Sequence, residues 1–303
     1  MPEPVDMPAT KAKSLLGQFG LRAKKGLGQH FLVDGRVLKR IVAAAELTPE
    51  DTVIEVGPGL GILTQELVQR AGRVIAIEAD GEMVSALGQL AARSPNLTVV
   101  HGDVMQNDPV SLLPSPGGVP SSYKVVANIP YYITSAVLRH FLEASRQPTL
   151  MVVMVQKEVG KAIVAQPGDM SLLAVSIQFY GKPSIAARVP ARSFYPPPKV
   201  DSVILRVDVY QKPPVDVPSS RAFFDTVRAG FSAPRKQLRN SLAQGLAIRT
   251  QTAADLLQRA SIDMRRRAET LSIEEWGRLC RDCLLYTSPS PRDRTRSRMP
   301  SSA

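Results

Sequence analysis

Val53-Ile54-Glu55-Val56-Gly57-Pro58-Gly59-Leu60-Gly61 runs from a β-branched strand pattern into a Gly-x-Gly-x-Gly turn, and a helical pattern follows at once from Ile62 to Ala71. Glycines at that spacing take dihedrals closed to other residues and let the backbone approach a ligand closely. A dinucleotide site wants one more residue before its third glycine, so Gly57-x-Gly59-x-Gly61 argues against a nicotinamide cofactor. Strand, turn and helix together are the first unit of a parallel α/β sheet.

The same alternation continues outward. Val74 to Glu78, Leu97 to Val100, Tyr123 to Ala127 and Leu150 to Val155 are short and rich in β-branched residues, as buried parallel strands are, and helical patterns separate them. Val203 to Tyr210 alternates as a closing strand with Ile185 to Val189 as its antiparallel neighbour, which predicts a mostly parallel, Rossmann-like sheet of seven strands. Pro109 to Ser122, rich in Pro, Gly and Ser, is expected to be a surface loop.

The strand ends carry the chemistry. Glu78 closes the second strand, where a carboxylate can accept both hydroxyls of a ribose, and Asp103 follows the third, where one can accept from an adenine amine. With Gly57, Gly59 and Gly61 these acids read as one S-adenosylmethionine site, hence a class I methyltransferase. Asn128-Ile129-Pro130-Tyr131 stands directly after the fourth strand, at the carboxyl edge where open α/β sheets bind ligands.

The amine of adenine is a weak nucleophile because its lone pair is delocalised into the ring. The Asn128 side-chain oxygen and a backbone carbonyl near Ile129, each accepting one N–H, favour a more pyramidal nitrogen. Pro130 aims that carbonyl, and Tyr131 offers a face on which a flipped base stacks. No general base is required before attack, so in-line positioning carries most of the rate. Phe194, held by the run Pro196-Pro197-Pro198, is a second stacking candidate.

Domain organisation follows from composition. Residues 1–20 are expected to be flexible, with a short basic helix around Lys11 to Phe19, and 21–210 to form the catalytic domain. Gln211 to Ser219, with three prolines, reads as a linker, and 220–283 as a small all-α domain. Leu284 to Ala303 is aperiodic and rich in Ser, Pro and Arg; it reads as a disordered, non-native tail after a helix ending at Cys283.

The net charge of +11 and pI near 9.9 suit a polyanionic partner. Residues 1–210 hold 21 basic against 18 acidic residues and 211–283 hold 13 against 8, so the excess is densest in the helical third. Cys280 and Cys283 have no second Cys or His pair to complete a zinc site, so they read as incidental thiols and no metal is expected. The start lacks an apolar signal region and no run approaches the roughly 20 residues that cross a bilayer, so a soluble cytoplasmic protein is expected.

Several longer stretches narrow the substrate. Lys25-Gly26-Leu27-Gly28-Gln29-His30-Phe31-Leu32, the two motifs above, Phe194 to Ser202, Phe231 to Asn240 and Arg267 to Ser272 together resemble the bacterial 16S ribosomal RNA adenine dimethyltransferase family, from about Lys24 to Cys280. The resemblance implies dimethylation of two adjacent adenosines in a hairpin near the 3′ end of 16S rRNA, by a monomer acting on the immature small subunit. It implies cofactor contacts from His30, Leu32, Gly57, Glu78, Asp103 and Asn128, and base contacts from Asn128, Tyr131 and Phe194. Arg235, Lys236 and Arg239 would hold the RNA backbone.

The chain departs from the family where His30 replaces a common Asn and where Met170-Ser171-Leu172-Leu173-Ala174 replaces a usual Tyr-Gly-Arg-Leu-Ser. Two other readings stay open at this point. One is a 23S rRNA adenine methyltransferase of the antibiotic-resistance type, against which Phe231 to Asn240 argues; the other is a non-catalytic RNA-binding assembly factor, against which the intact Gly57, Glu78, Asp103 and Asn128 argue.

Overall fold

A computed structural model describes residues 29–113 and 122–287, together with Gly17. Apart from Gly17, the expected flexible start lies outside the described residues, as do residues 25–28 of the amino-terminal motif, the middle of the Pro109 to Ser122 loop and residues 288–303 of the expected tail.

In chain order the elements are β1 (Phe31–Leu32), α1 (Gly35–Ala45), β2 (Thr52–Val56), α2 (Ile62–Val68), β3 (Arg73–Glu78), α3 (Gly81–Ala91), β4 (Leu97–His101), β5 (Tyr123–Asn128), α4 (Thr134–Leu142) and β6 (Leu150–Gln156). There follow α5 (Lys157–Ile163), α6 (Leu172–Gln178), β7 (Gly181–Val189), β8 (Phe194–Tyr195), β9 (Ser202–Val209), α7 (Ser220–Gly230), α8 (Leu238–Gly245), α9 (Thr250–Arg259) and α10 (Ile273–Thr287). Seven strands form one sheet in the order β4-β3-β2-β5-β6-β9-β7. The first five run parallel, β9 lies antiparallel on β6, and β7 antiparallel on β9.

The central strands are apolar on both faces because helices cover both, and Val53, Ile54, Val125, Val126, Val152 and Val153 have no exposed surface. The chain leaves β2 toward β3 and β4 on one side and returns to β5 and β6 on the other. That reversal between β2 and β5 opens a crevice at the carboxyl ends of the strands.

Several boundaries differ from the sequence expectation. Helix α2 stops at Val68 instead of Ala71, because the Asn96 amide donates to the carbonyls of Val68 and Ala71, both at 2.9 Å, and satisfies the helix end. Strand β5 takes in Asn128, which pairs with Met154 of β6. Strand β7 starts at Gly181, well before Ile185; it is an edge strand with an irregularity between Ile185 and Ala187, which blurs its alternation.

The chain divides into two compact units, one of residues up to Val164 with Tyr180–Lys212, the other of Ala165–Phe179 with residues from Pro213 onward. The sequence reading kept 165–179 with the catalytic domain. The segment packs with the helices instead: Gly168 and Met170 donate their N–H groups to Glu269 O at 2.9 and 3.0 Å, and Phe179 stacks on Phe223 with centroids 4.3 Å apart.

The helical unit is built around Phe223, Leu238, Leu242, Leu257 and Trp276, all without exposed surface. Arg266 donates to Glu275 at 2.9 Å and to Thr270 Oγ1 at 3.0 Å, which pins the turn before α10 and holds the Glu275 carboxyl below its ordinary range. Helix α10 runs on to Thr287, four residues past its expected end at Cys283. Cys280 and Cys283 are buried on it outside any disulfide, and burial pushes both thiols up, Cys283 to about 12. Among the described residues no helix is long and apolar enough to cross a membrane, and no group of three His, Cys, Asp or Glu is placed to hold a metal.

Candidate active site

A cavity of about 310 Å³ lies within the first unit at the carboxyl ends of β2, β3, β4 and β5. The structure brings His30, Leu32, Gly57, Gly59, Glu78, Asp103, Asn128, Ile129, Pro130 and Tyr131 to its wall. Gly61, Phe194, Arg235, Lys236 and Arg239 do not line it.

The glycine turn is left-handed throughout, with φ of +66° at Gly57, +54° at Gly59 and +74° at Gly61. A Cβ on Gly59 would also stand 3.0 Å from the Phe31 ring that packs beneath it. Gly61 has a different task from the one expected. Its Cβ would meet Leu87 of α3 at 2.9 Å, so the missing side chain serves helix packing and not the cavity.

Glu78 is 7% exposed and ties the turn to its strand: Oε2 accepts from Gly59 N at 3.0 Å and Oε1 from Asp80 N at 2.9 Å. Burial raises its pKa against those bonds, and each oxygen keeps a second lone pair for a ligand hydroxyl. Asp103 Oδ1 accepts from Met105 N at 2.9 Å and caps the turn Val104–Gln106, which leaves Oδ2 open.

Sequence reasoning gave Glu55 no role. It is 1% exposed on β2 and lines the cavity, and its Oε2 has no hydrogen bond. Burial pushes its carboxyl up to about 8, the Glu78 charge adds to the shift, and the neighbouring Thr64 hydroxyl opposes it. The available signal was a carboxylate inside Val53 to Val56, a run otherwise buried on both faces of the sheet.

The wall thus carries Glu55, Glu78 and Asp103 but no Lys or Arg among the described residues, in a protein of net charge +11. Such a cavity repels phosphates and fits S-adenosylmethionine, which carries a sulfonium and an ammonium but no phosphate.

Asn128 donates its Nδ2 to His30 O at 3.0 Å, which fixes the flip of the amide and leaves Oδ1 as an acceptor. His30 Nδ1 lies 2.7 Å from Pro196 O; a carbonyl only accepts, so Nδ1 carries the proton. The His30 ring stacks on Tyr131 with centroids 5.8 Å apart, and the Tyr131 hydroxyl bonds Ser202 Oγ at 2.6 Å. A base entering the cavity therefore meets a Tyr131 ring already held on one side. The ribbon of β1 and β8, with Ser193 Oγ donating to Asp34 at 3.0 Å, joins the amino-terminal strand to the proline loop.

Two residues expected to contact RNA are wholly or partly buried. Phe194 is 2% exposed and packs in the core with Leu32, Val37, Val189 and Ile204, because alternation in β8 turns it inward. Arg239 is half-buried, with Nη1 3.7 Å from Met264 Sδ and Nε buried without a partner; Arg235 and Lys236 are exposed.

The family model described as "Ribosomal RNA adenine dimethylase" matches residues 20–281. "Ribosomal RNA small subunit methyltransferase A" of Dehalococcoides mccartyi strain 195 is 53% identical over 277 residues, covering 91% of this chain and 93% of that protein. The protein of the same name from Moorella thermoacetica is 42% identical over 285 residues, covering 91% and 99%.

Among solved structures, the 23S rRNA methyltransferase ErmE superposes with a TM-score of 0.66 at 29% identity, over 83% of this chain and 98% of that one. A dimethyladenosine transferase from Plasmodium falciparum, 24% identical with a TM-score of 0.69 over 82% and 96%, shares the fold. A family match spanning both units, with relatives of such identity along nearly the whole length, leads to one conclusion: the chain belongs to the ribosomal RNA adenine dimethylase family.

Proposed function

We propose that the protein uses S-adenosylmethionine to dimethylate the N6 amines of two adjacent adenosines in a hairpin near the 3′ end of 16S rRNA. In this reading it works in the cytoplasm as a monomer, without a metal, on the immature small ribosomal subunit. The observation that carries the reading is the juxtaposition of an acid-lined wall, without Lys or Arg among the described residues, with the open Oδ1 of Asn128. The small-subunit assignment rests on relatives at 53% and 42% identity that carry that name.

When bound, the cofactor supplies an electrophilic methyl group on sulfur. Glu78 would accept from its ribose and Asp103 Oδ2 from its adenine, while Glu55, its carboxyl pushed up to about 8, would face the ligand as a neutral acid. Asn128 Oδ1 accepts one N–H of the target amine and the carbonyl near Ile129 the other, so the lone pair turns toward the methyl. Burial raises the Tyr131 pKa, so its hydroxyl keeps its proton and its bond to Ser202 while the ring meets the base.

The likeness to ErmE favours one other reading, a 23S substrate. Primer extension on undermethylated 30S and 50S subunits, incubated with enzyme and cofactor, separates them because dimethylated adenines stop reverse transcriptase. Stops at two adjacent adenines of 16S rRNA are expected. Stops on 23S rRNA alone would transfer the assignment, and cofactor binding without methyl transfer to either would leave a non-catalytic binding factor.

A further inference from the structure

Tyr132 has no part in the site described above. It is 67% exposed, the most exposed of the large hydrophobic side chains among the described residues, yet it lines the same cavity. It makes no hydrogen bond or ring contact among those residues.

This exposure is held in place by the turn that carries it. Tyr131 on one side is pinned by Ser202 and His30. On the other, Ile133 N donates to Pro130 O at 3.1 Å and the 2%-exposed Thr134 opens α4. A rigid turn therefore presents an unpartnered aromatic ring at the cavity wall, where hydration of that ring is unfavourable.

Delivering an adenine amine to Asn128 requires the base to leave its stack, which exposes a face of the neighbouring base. An aromatic ring beside the entry can cover that face whatever the base, because every base has one. We infer that Tyr132 stacks on the nucleobase adjoining the target, filling the gap the flipped base leaves. With two adjacent adenines as substrate, the stacked base is the one awaiting its turn. This rests on the proposed adenine-methylating reading of the site.

Initial rates on undermethylated 30S subunits test the inference, with cofactor affinity measured separately by calorimetry. Tyr132→Ala is expected to raise the KM for the subunits by about tenfold, with cofactor Kd and Tm near wild type, and Tyr132→Trp to restore KM to within about threefold. An unchanged KM in Tyr132→Ala, failure of the Trp variant to rescue, or a cofactor Kd that rises by the same factor would each overturn it.

A second measurement needs no turnover. In an RNA hairpin with 2-aminopurine beside the target adenine, stacking on Tyr132 should quench the fluorescence on binding, and Tyr132→Ala should lose the quench. Equal quenching by both proteins refutes the stacking contact. Failure of the wild type to transfer methyl groups refutes the proposed function instead, and the fluorescence still decides Tyr132.

Discussion

Glu55, Glu78 and Asp103 gather at one cavity whose wall has no Lys or Arg among the described residues, whereas Arg235 and Lys236 of the helical unit stand in solvent within a span of 13 basic and 8 acidic residues, 211–283. Both regions belong to one chain of net charge +11. Net charge is dominated by exposed groups, whose fields water and salt screen over roughly 8 Å, and so describes how the surface meets a polyanion. Inside the cavity the local dielectric is lower and a few carboxylates set the potential. The cavity therefore selects a cation while the surface selects its opposite, and each can be altered without the other.

The largest expected effect is at the cavity. Asn128→Ala removes the acceptor for the amine, and kcat should fall by about 1000-fold with the circular dichroism spectrum unchanged. A variant that still transfers methyl groups at the wild-type rate would remove Asn128 from the chemistry. Phe194→Ala comes next and should act as a core truncation, lowering stability by about 3 kcal/mol in urea titrations. A wild-type urea midpoint paired with a raised KM for RNA would instead return Phe194 to base stacking.

On the basic side, Arg235→Ala with Lys236→Ala should weaken binding to undermethylated 30S subunits by about tenfold and reduce the salt dependence of log K by about one per residue. Cofactor affinity should not move. If it falls in parallel, the separation of the two charge regions is wrong.

A pH dependence tests the charge state of the third acid in the cavity. Glu55 binds its proton more tightly in the folded chain, near pH 8, than an ordinary carboxylate does when unfolded. The resulting stability is complete below the ordinary carboxylate pKa and is lost as pH rises through about 8. Glu55→Gln suffers no such loss, so the Tm of cofactor-free variant minus that of wild type should increase from about pH 5 to about pH 9. A difference independent of pH would show that Glu55 is ionised throughout.

Legibility differed residue by residue. Strand positions β2 to β6 were readable because buried parallel strands advertise themselves as β-branched runs between helices. Asn128, Glu78 and Asp103 were readable as site candidates because each stands at a strand end. The ribbon of β1 and β8 was not, since two-residue strands have no period, and the contact it supports, His30 to Pro196, spans 166 residues. The burial of Phe194 was not readable, because a motif fixes spacing while the inward turn of a side chain depends on which neighbours its strand finds. The segment 165–179 was assigned to the wrong unit for the same reason: its partners, Glu269 and Phe223, are distant in sequence.

By itself the sequence determined the parallel α/β order, the glycine turn, the acids at the strand tips and the asparagine after the fourth strand. Those are local patterns of hydrophobicity, backbone freedom and chemistry at fixed spacing, so they need no knowledge of contacts. Only the tertiary structure decided that Glu55 is a buried carboxyl in the cavity wall, that Gly61 packs a helix, that Phe194 is core, and that Tyr132 stands exposed at the cavity. Burial and orientation depend on which distant segments pack together, and for these residues that packing determines both the charge state and the face presented to a ligand.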